Sequence, residues 1–257
     1  METLENVEVL RVDSCLSTNS YAAGLPYPES YGRLTVIVTD EQTAGRGQRG
    51  NHWEAEPGKN LTFSVLWRPE GVLPSEQFAV SEAVALAVCD LLEVCGIEAK
   101  VKWPNDIYVG DKKICGILIE HALLGMEITR TIAGVGINVN QEVFRSDAPN
   151  PISIKQISGK DHDLGELLGE YARLLSNRLL QIRTKEGRER IHEEYKGRMW
   201  RYDKRAYPFS DVASGERYKG RIMGVEPGGL LHIQPENEQN ERIYAFKEVE
   251  FLSSELF

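Results

Sequence analysis

Gly45-Arg46-Gly47-Gln48-Arg49-Gly50 has the G-x-G-x-x-G spacing of a dinucleotide-binding turn, and the residues after it decide against that fold. Such a turn needs a strand immediately before it and a helix opening at its last glycine, so that a pyrophosphate meets the helix N-terminus. Here Gly50 is followed by Asn51-His52-Trp53-Glu54-Ala55-Glu56-Pro57, and the next regular pattern, over residues 61–67, is β-like. No helix begins there. Residues 41–60 therefore read as a long loop without apolar periodicity, carrying Arg46, Arg49 and Trp53. Loops of that length inside a compact domain are commonly lids. Guanidinium forks match phosphate oxygens, and a tryptophan at the base of the loop can stack on a purine. A solvated basic turn beside one buried tryptophan is the other reading of the same residues.

Outward from the loop, residues 7–12 and 34–38 are strand-like, with a short helix over residues 20–24 after Ser17-Thr18-Asn19. Ser75 is a candidate cap for a long helix ending at Cys95, with Gly96 as its stop. Apolar residues surround most of that helix, so it should be buried. Residues 100–103, 107–109, 113–121 and 127–138 then read as successive strands, with a tight turn at Gly110-Asp111. After a loop over residues 140–151, Asp163 and Glu166 start a helix in the manner of a capping box. Its stripe of Leu164, Leu167, Leu168, Tyr171, Leu175, Leu179 and Ile182 should pack on the sheet. Beyond Trp200 the pattern becomes short strands, residues 204–212, 217–225, 229–234 and 243–251, separated by Gly- and Pro-containing turns. They suggest a small barrel appended to a mixed domain, with the boundary near Tyr202.

The bulk composition excludes more than it proposes. In 257 residues, 41% apolar and 27% charged, there is room for a substantial core without disulfides or metal. A net charge of −9 argues against nucleic acid as the main partner, because binding a duplex is dominated by phosphate neutralisation. Cys15, Cys89, Cys95 and Cys115 form no C-x-x-C pair and read as small side chains in a reducing compartment. No secretory signal and no membrane-length apolar run is visible, so a cytoplasmic location is expected.

Five motifs in order are more specific. Ser17-Thr18-Asn19, then Gln42-Thr43-Ala44 running into the glycine loop and Trp53, then Lys102-Trp103-Pro104-Asn105-Asp106, Lys113-Ile114-Cys115-Gly116-Ile117-Leu118 and Gly134-Val135-Gly136-Ile137-Asn138 together resemble a biotin protein ligase. The resemblance runs from about Val7 to the C-terminus. It implies an α+β fold of the class II aminoacyl-tRNA synthetase/biotin ligase type: a mixed β-sheet catalytic domain with flanking helices over residues 1–201, and an SH3-like β-barrel over residues 202–257. It also implies ATP-dependent ligation of biotin, through biotinyl-AMP, to a lysine of the biotin carboxyl carrier domain of a carboxylase. ATP and Mg²⁺ are the implied cofactors.

Carried onto this chain, the resemblance assigns biotin to Ser17, Thr18, Asn19, Gln42, Arg46, Gly47, Gln48, Lys113 and Gly116. ATP goes to Arg46, Arg49, Trp53, Asn105, Lys113 and Asn138. Lys113, Arg46 and Asp106 would be catalytic, with Asp106 also the candidate metal ligand. The short polar groups suit a ureido ring, whose carbonyl and N–H groups need partners when buried. Each residue keeps a plainer reading: Ser17 as a helix cap, Lys113 as a turn lysine, Asp106 as a turn former, and Gly134 and Gly136 as strand packing.

Many members of that family carry arginine where this chain has Gln48, and a basic residue where it has Asn51, so retention of the adenylate is in question. Only 16 residues precede Ser17, too few for a helix-turn-helix, so a monofunctional ligase, monomer or homodimer, binding neither DNA nor membrane, is expected. The rivals are a lipoate or octanoate ligase or transferase of the same fold and, outside catalysis, a transcriptional repressor or peptide-binding scaffold.

Overall fold

The computed structural model describes residues 7–47, 52–145 and 150–253. In chain order the elements are β1 (Val7–Cys15), α1 (Thr18–Ala23), β2 (Leu34–Gln42), β3 (Leu61–Trp67), α2 (Phe78–Val94), β4 (Lys100–Lys102), β5 (Asp106–Val109), β6 (Lys112–Leu124) and β7 (Glu127–Ile137). They continue with α3 (Ile154–Ser158), α4 (Leu164–Gln181), α5 (Lys185–Gly197), β8 (Tyr207–Asp211), β9 (Arg217–Val225), β10 (Leu231–Pro235), β11 (Arg242–Tyr244) and β12 (Val249–Phe251). Two sheets result. The first has the order β1-β2-β3-β7-β6-β5-β4 and the second β11-β10-β9-β8-β12. Only the β1–β2 pair in the first sheet is parallel, so the sheet is mixed as expected.

Strand alternation gives the first sheet two unlike faces. Val36, Val38, Phe63, Val65, Ala133, Val135 and Ile117 point to one side, where they join α2, α4 and α5 in the main core. That core explains the near-continuous apolar character of α2, whose buried side includes Val84, Leu86, Val88, Leu91 and Leu92. Phe63 meets Tyr171 of α4 edge-on at 5.0 Å, and Phe78 of α2 meets Tyr195 of α5 at 5.5 Å. Ile37, Leu66 and Ile132 point to the opposite side and pack with Ala22 of α1 in a separate, smaller cluster.

Several expected details change. Ser75 does not cap α2. Pro74–Glu76 form a 3₁₀ turn, and Gln77 precedes the helix with no side-chain cap. Pro74 has the fixed φ that suits such a turn, and the Glu76 carboxylate accepts from Leu73 N at 3.1 Å. The strand expected over residues 243–251 is two strands. Lys247 adopts φ 79°, and the Glu248 N–H donates to Ala245 O, so the chain turns between β11 and β12. Two helices were not foreseen. α3 has a Ser153/Gln156 capping box visible in the sequence. α5 buries only Gly187, Ile191, His192 and Tyr195, too few apolar residues to make a stripe.

The second sheet occupies the position expected of an SH3-like barrel, its ladders running from β11 to β12 without closing. Trp103 Nε1 donates to Gly229 O at 3.0 Å, and Trp200 lies between Tyr108 and Phe251, so the two sheets share an aromatic seam. Among the described residues no helix is long and apolar enough to cross a membrane.

Candidate functional site

The face of the first sheet that carries α1 is paved with small residues. The register sets Thr39, Thr62, Gly136 and Gly116 in one row across β2, β3, β7 and β6. The neighbouring row is Ile37, Ser64, Gly134 and Leu118. A Cβ on Gly134 would sit 2.3 Å from Asn19 Oδ1, and one on Gly136 would sit 2.3 Å from Trp53 Cε2. The glycines are therefore required by what lies on them, which strand packing alone would not demand.

At the α1 end of this face is a closed polar cluster. Ser17 caps α1, accepting from Ser20 N. Gln42 Oε1 accepts from Thr18 N at 2.8 Å. Ser64 Oγ lies 2.7 Å from Thr18 Oγ1 and 2.6 Å from Asn19 Oδ1. Asn19 Nδ2 donates to Leu118 O at 3.2 Å and to Glu120 Oε2 at 2.7 Å. Ser17, Thr18, Asn19 and Ser64 are all buried. Ser64 and Glu120 were not among the residues read from the sequence. Each left a signal: a serine within the fully buried strand β3, and a carboxylate ending the apolar run Ile117-Leu118-Ile119.

At the opposite end, Lys113 Nζ meets Asp106 Oδ2 at 2.7 Å, with both side chains about a quarter exposed (24% and 27%). The β5–β6 register slips between Ile107 and Tyr108, so that Ile107 faces Cys115 and Tyr108 faces Lys113. Such a bulge re-aims a side chain. It brings Lys113 Cε within 3.4 Å of a Cβ built on Gly116, onto the glycine face. Asn105 Nδ2 donates to Ile117 O, and Tyr195 Oη donates to Pro104 O at 2.7 Å, holding the turn that presents Asn105 and Asp106. Asn138 is buried, donating from its amide to Ile152 O.

Between the two ends lies Trp53, its ring over Gly116 and Gly136 and its centroid 5.9 Å from Lys113 Nζ. Its Nε1 is buried with no hydrogen-bond partner among the described residues. The loop that carries it is held at its roots. Trp53 N donates to Gly45 O, and Gln141, buried and likewise missed, accepts from Glu56 N at 2.9 Å and also bonds Asn60 and Glu54. Arg46 does not join the Lys113–Asp106 pair. Its guanidinium donates to Glu120 Oε1 at 2.8 Å, at the α1 end. Gly47 lines the adjacent cleft. Gln48, Arg49 and Asn51 lie outside the described residues.

That cleft, of about 830 Å³, runs from the loop to the second sheet, and Arg46, Gly47, Asn105, His121, Gly229 and Phe246 are among its lining. His121 hydrogen-bonds Thr131 Oγ1 at 2.8 Å, and burial lowers its pKa from 6.5 to about 4. The unfolded chain accepts this proton near pH 6.5 and the folded chain refuses it until about 4. The contribution to stability is thus complete above pH 6.5 and drains away as pH falls from 6.5 to about 4. Thermal melts across that window should show a falling Tm that a His121→Asn variant flattens. Equal slopes for the two proteins would remove His121 as the cause.

No group of three or more His, Cys, Asp or Glu side chains capable of holding a metal occurs among the described residues. A lone carboxylate such as Asp106 does fit Mg²⁺ that arrives on a nucleotide, because that ion takes most of its ligands from phosphate and water.

A mixed sheet with glycine rows on one face, a buried polar cluster at one end of them and a lysine–aspartate pair at the other is a different class of domain from the dinucleotide folds, in which a glycine turn joins a strand directly to a helix. Comparison with known proteins narrows it. A model of the Biotin/lipoate A/B protein ligase family matches residues 13–138. The bifunctional ligase/repressor BirA of Bacillus subtilis is 36% identical over 135 residues, 50% of this chain and 41% of that protein. The biotin–[acetyl-CoA-carboxylase] ligase of Paracoccus denitrificans is 32% identical over 176 residues, 65% of this chain and 71% of that protein. The solved biotin protein ligase from Aquifex aeolicus in complex with biotin and ATP matches with a TM-score of 0.77 at 25% identity, covering 96% of this chain and 99% of that one. This chain belongs to the biotin/lipoate protein ligase family. It spans less than half the length of the bifunctional relatives that it matches.

Proposed function

We propose that the protein activates biotin with ATP and transfers it, through biotinyl-AMP, to a lysine of a biotin carboxyl carrier domain. The observation that carries this reading is the polarity of the glycine face, with a buried set of short donors and acceptors at one end and an ammonium at the other. Leu118 and Lys113 are five residues apart on β6, roughly 16 Å at the usual strand rise. That span suits an acid with a polar ring head and a long acyl arm. A lipoyl or octanoyl group would set apolar atoms against Ser17, Thr18, Asn19, Gln42 and Ser64, whereas a ureido ring offers them a carbonyl and two N–H groups.

In this reading the cluster holds the ureido ring, and Lys113 turns from Asp106 to the carboxylate and the α-phosphate. The carboxylate oxygen attacks the α-phosphorus and pyrophosphate leaves. The neutral acceptor amine then attacks the mixed anhydride and AMP leaves. Bound Mg²⁺ would neutralise phosphate charge, with Asp106 as its protein ligand. Trp53, Asn105 and Asn138 take the adenylate, and Arg46, Gly47, Gln48 and Arg49 close over it to exclude water. In this reading residues 1–201 are the catalytic domain and residues 202–257 the appended one, whose Gly229 and Phe246 line the side of the cleft through which the acceptor lysine would enter. The likeness to the family carries with it a cytoplasmic location and a monomer or homodimer.

ATP–pyrophosphate exchange measured with biotin, lipoate and octanoate in turn tests the reading. Exchange should depend on biotin and be at least about 100-fold weaker with the other acids, as expected for a site built to hydrogen-bond a group they lack. Exchange driven equally by octanoate would move the protein to the lipoate branch, and exchange with none of the three would remove the ligase activity.

A further inference from the structure

We propose that Glu120 is a positioning residue that ties the loop arginine to the head-group cluster, so that docking of the loop and grip on the ligand's ring depend on one carboxylate. The inference rests on the reading of the site given above and adds a residue that no motif contains. Glu120 is the one carboxylate of β6, in line with Gly116 and Leu118. Its two oxygens serve different partners. Oε1 accepts from Arg46 Nη2 at 2.8 Å, and Oε2 accepts from Asn19 Nδ2 at 2.7 Å, with Arg46 Nη1 further off at 3.4 Å.

The Asn19 side of the link is the firm one. Asn19 is 3% exposed, and its Oδ1 is engaged by Ser64 Oγ. Ser64 on one side and Glu120 with Leu118 O on the other leave its amide a single orientation, which decides whether a bound ring meets an acceptor or a donor there. The Arg46 side is weak by itself, because that pair is close to half exposed (46% and 40%), and exposed pairs contribute little. Arg46 itself forms the antiparallel backbone bridge to His52, next to Gly45, whose carbonyl accepts from Trp53 N at 3.1 Å. Fixing its guanidinium therefore steadies the loop segment next to Trp53.

A carboxylate on this face would be unfavourable beside the substrate carboxylate or a phosphate. It is tolerated because it stands at the ring end, seven residues along β6 from Lys113. Glu120 should accordingly act on retention of the ring and not on the adenylation step.

The test uses Glu120→Gln, which keeps the shape and one acceptor oxygen, with Arg46→Gln and the double variant. Thermal melts establish that each is folded. For Glu120→Gln, the KM for biotin and the biotin dissociation rate should rise about five- to tenfold, as for loss of a charge-assisted hydrogen bond. Its exchange kcat at saturating biotin and its KM for ATP should stay within about twofold. The Glu120→Gln and Arg46→Gln effects on biotin dissociation should be clearly less than additive. An unchanged biotin KM, a fall in kcat at saturating biotin, or additive effects would each overturn the proposal while leaving the ligase reading intact. Absence of biotin-dependent exchange in the unaltered protein would overturn that reading and this inference with it.

Discussion

Lys113→Ala should lose about 10²–10³-fold in ATP–pyrophosphate exchange, the usual effect of removing one preorganised group that stabilises developing charge. Two consequences of the substitution compete. It strips the site of an ammonium that can bridge carboxylate and phosphate, and it leaves Asp106 without its partner at 2.7 Å. The second is the smaller, because the Asp106 side chain is 27% exposed and water can replace the lost ammonium. Activity should therefore collapse while Tm moves by only a few degrees. The loss should fall on kcat, since the charge that Lys113 meets grows as pyrophosphate departs. Lys113→Arg should recover little, because a planar guanidinium fork does not occupy the position of a compact ammonium. Exchange assays beside thermal melts give the answer, and near-normal exchange in a folded Lys113→Ala would take this lysine out of the chemistry.

Trp53→Ala should weaken ATP by about 1–3 kcal/mol, on the scale of a base stacked on an aromatic ring, or about 5- to 150-fold in Kd. The ring rests on Gly116 and Gly136 and stands 5.9 Å from Lys113 Nζ, so it is supported from below by backbone and has a face to offer. Biotin should weaken far less, because the Ser17–Asn19, Gln42 and Ser64 cluster does not include the indole. Trp53→Phe should recover much of the loss, since stacking needs a face more than it needs the Nε1 donor. Titration of each ligand separately decides the matter. Equal weakening of biotin and ATP would make Trp53 a wall of the acyl pocket and remove it from the adenine site.

Much of the molecule was legible in its sequence. β3 (Leu61–Trp67) and β9 (Arg217–Val225) have the limits read from their β-rich runs. Gly96 ends α2 with φ 77°, as a helix-stop glycine should, and Asp163 caps α4. These features depend on local chemistry. The apolar period, the capping oxygen and the glycine's freedom at positive φ act over a few residues, so a single sequence displays them. α5 escaped because only Ile191 and Tyr195 anchor it apolarly. Its stability comes from packing on α2 and from the Glu82–His192 contact at 2.6 Å, partners distant in sequence.

The site divides in the same way. Sequence alone determined which chemistry the chain carries: a glycine loop that cannot bind a dinucleotide, short polar residues before it, and a lysine following a tight turn. It also determined the order of those motifs, and the family follows from that order. Tertiary structure decided how they meet. The β5–β6 bulge turns Lys113 onto the glycine face, and strand register stacks Thr62, Gly136 and Gly116 into a row beneath Trp53. Arg46 is drawn to Glu120 and away from Lys113. The reason is that a one-residue shift in pairing inverts every side chain on a strand. Register is set by contacts summed over the whole sheet, and no local stretch of sequence contains that sum.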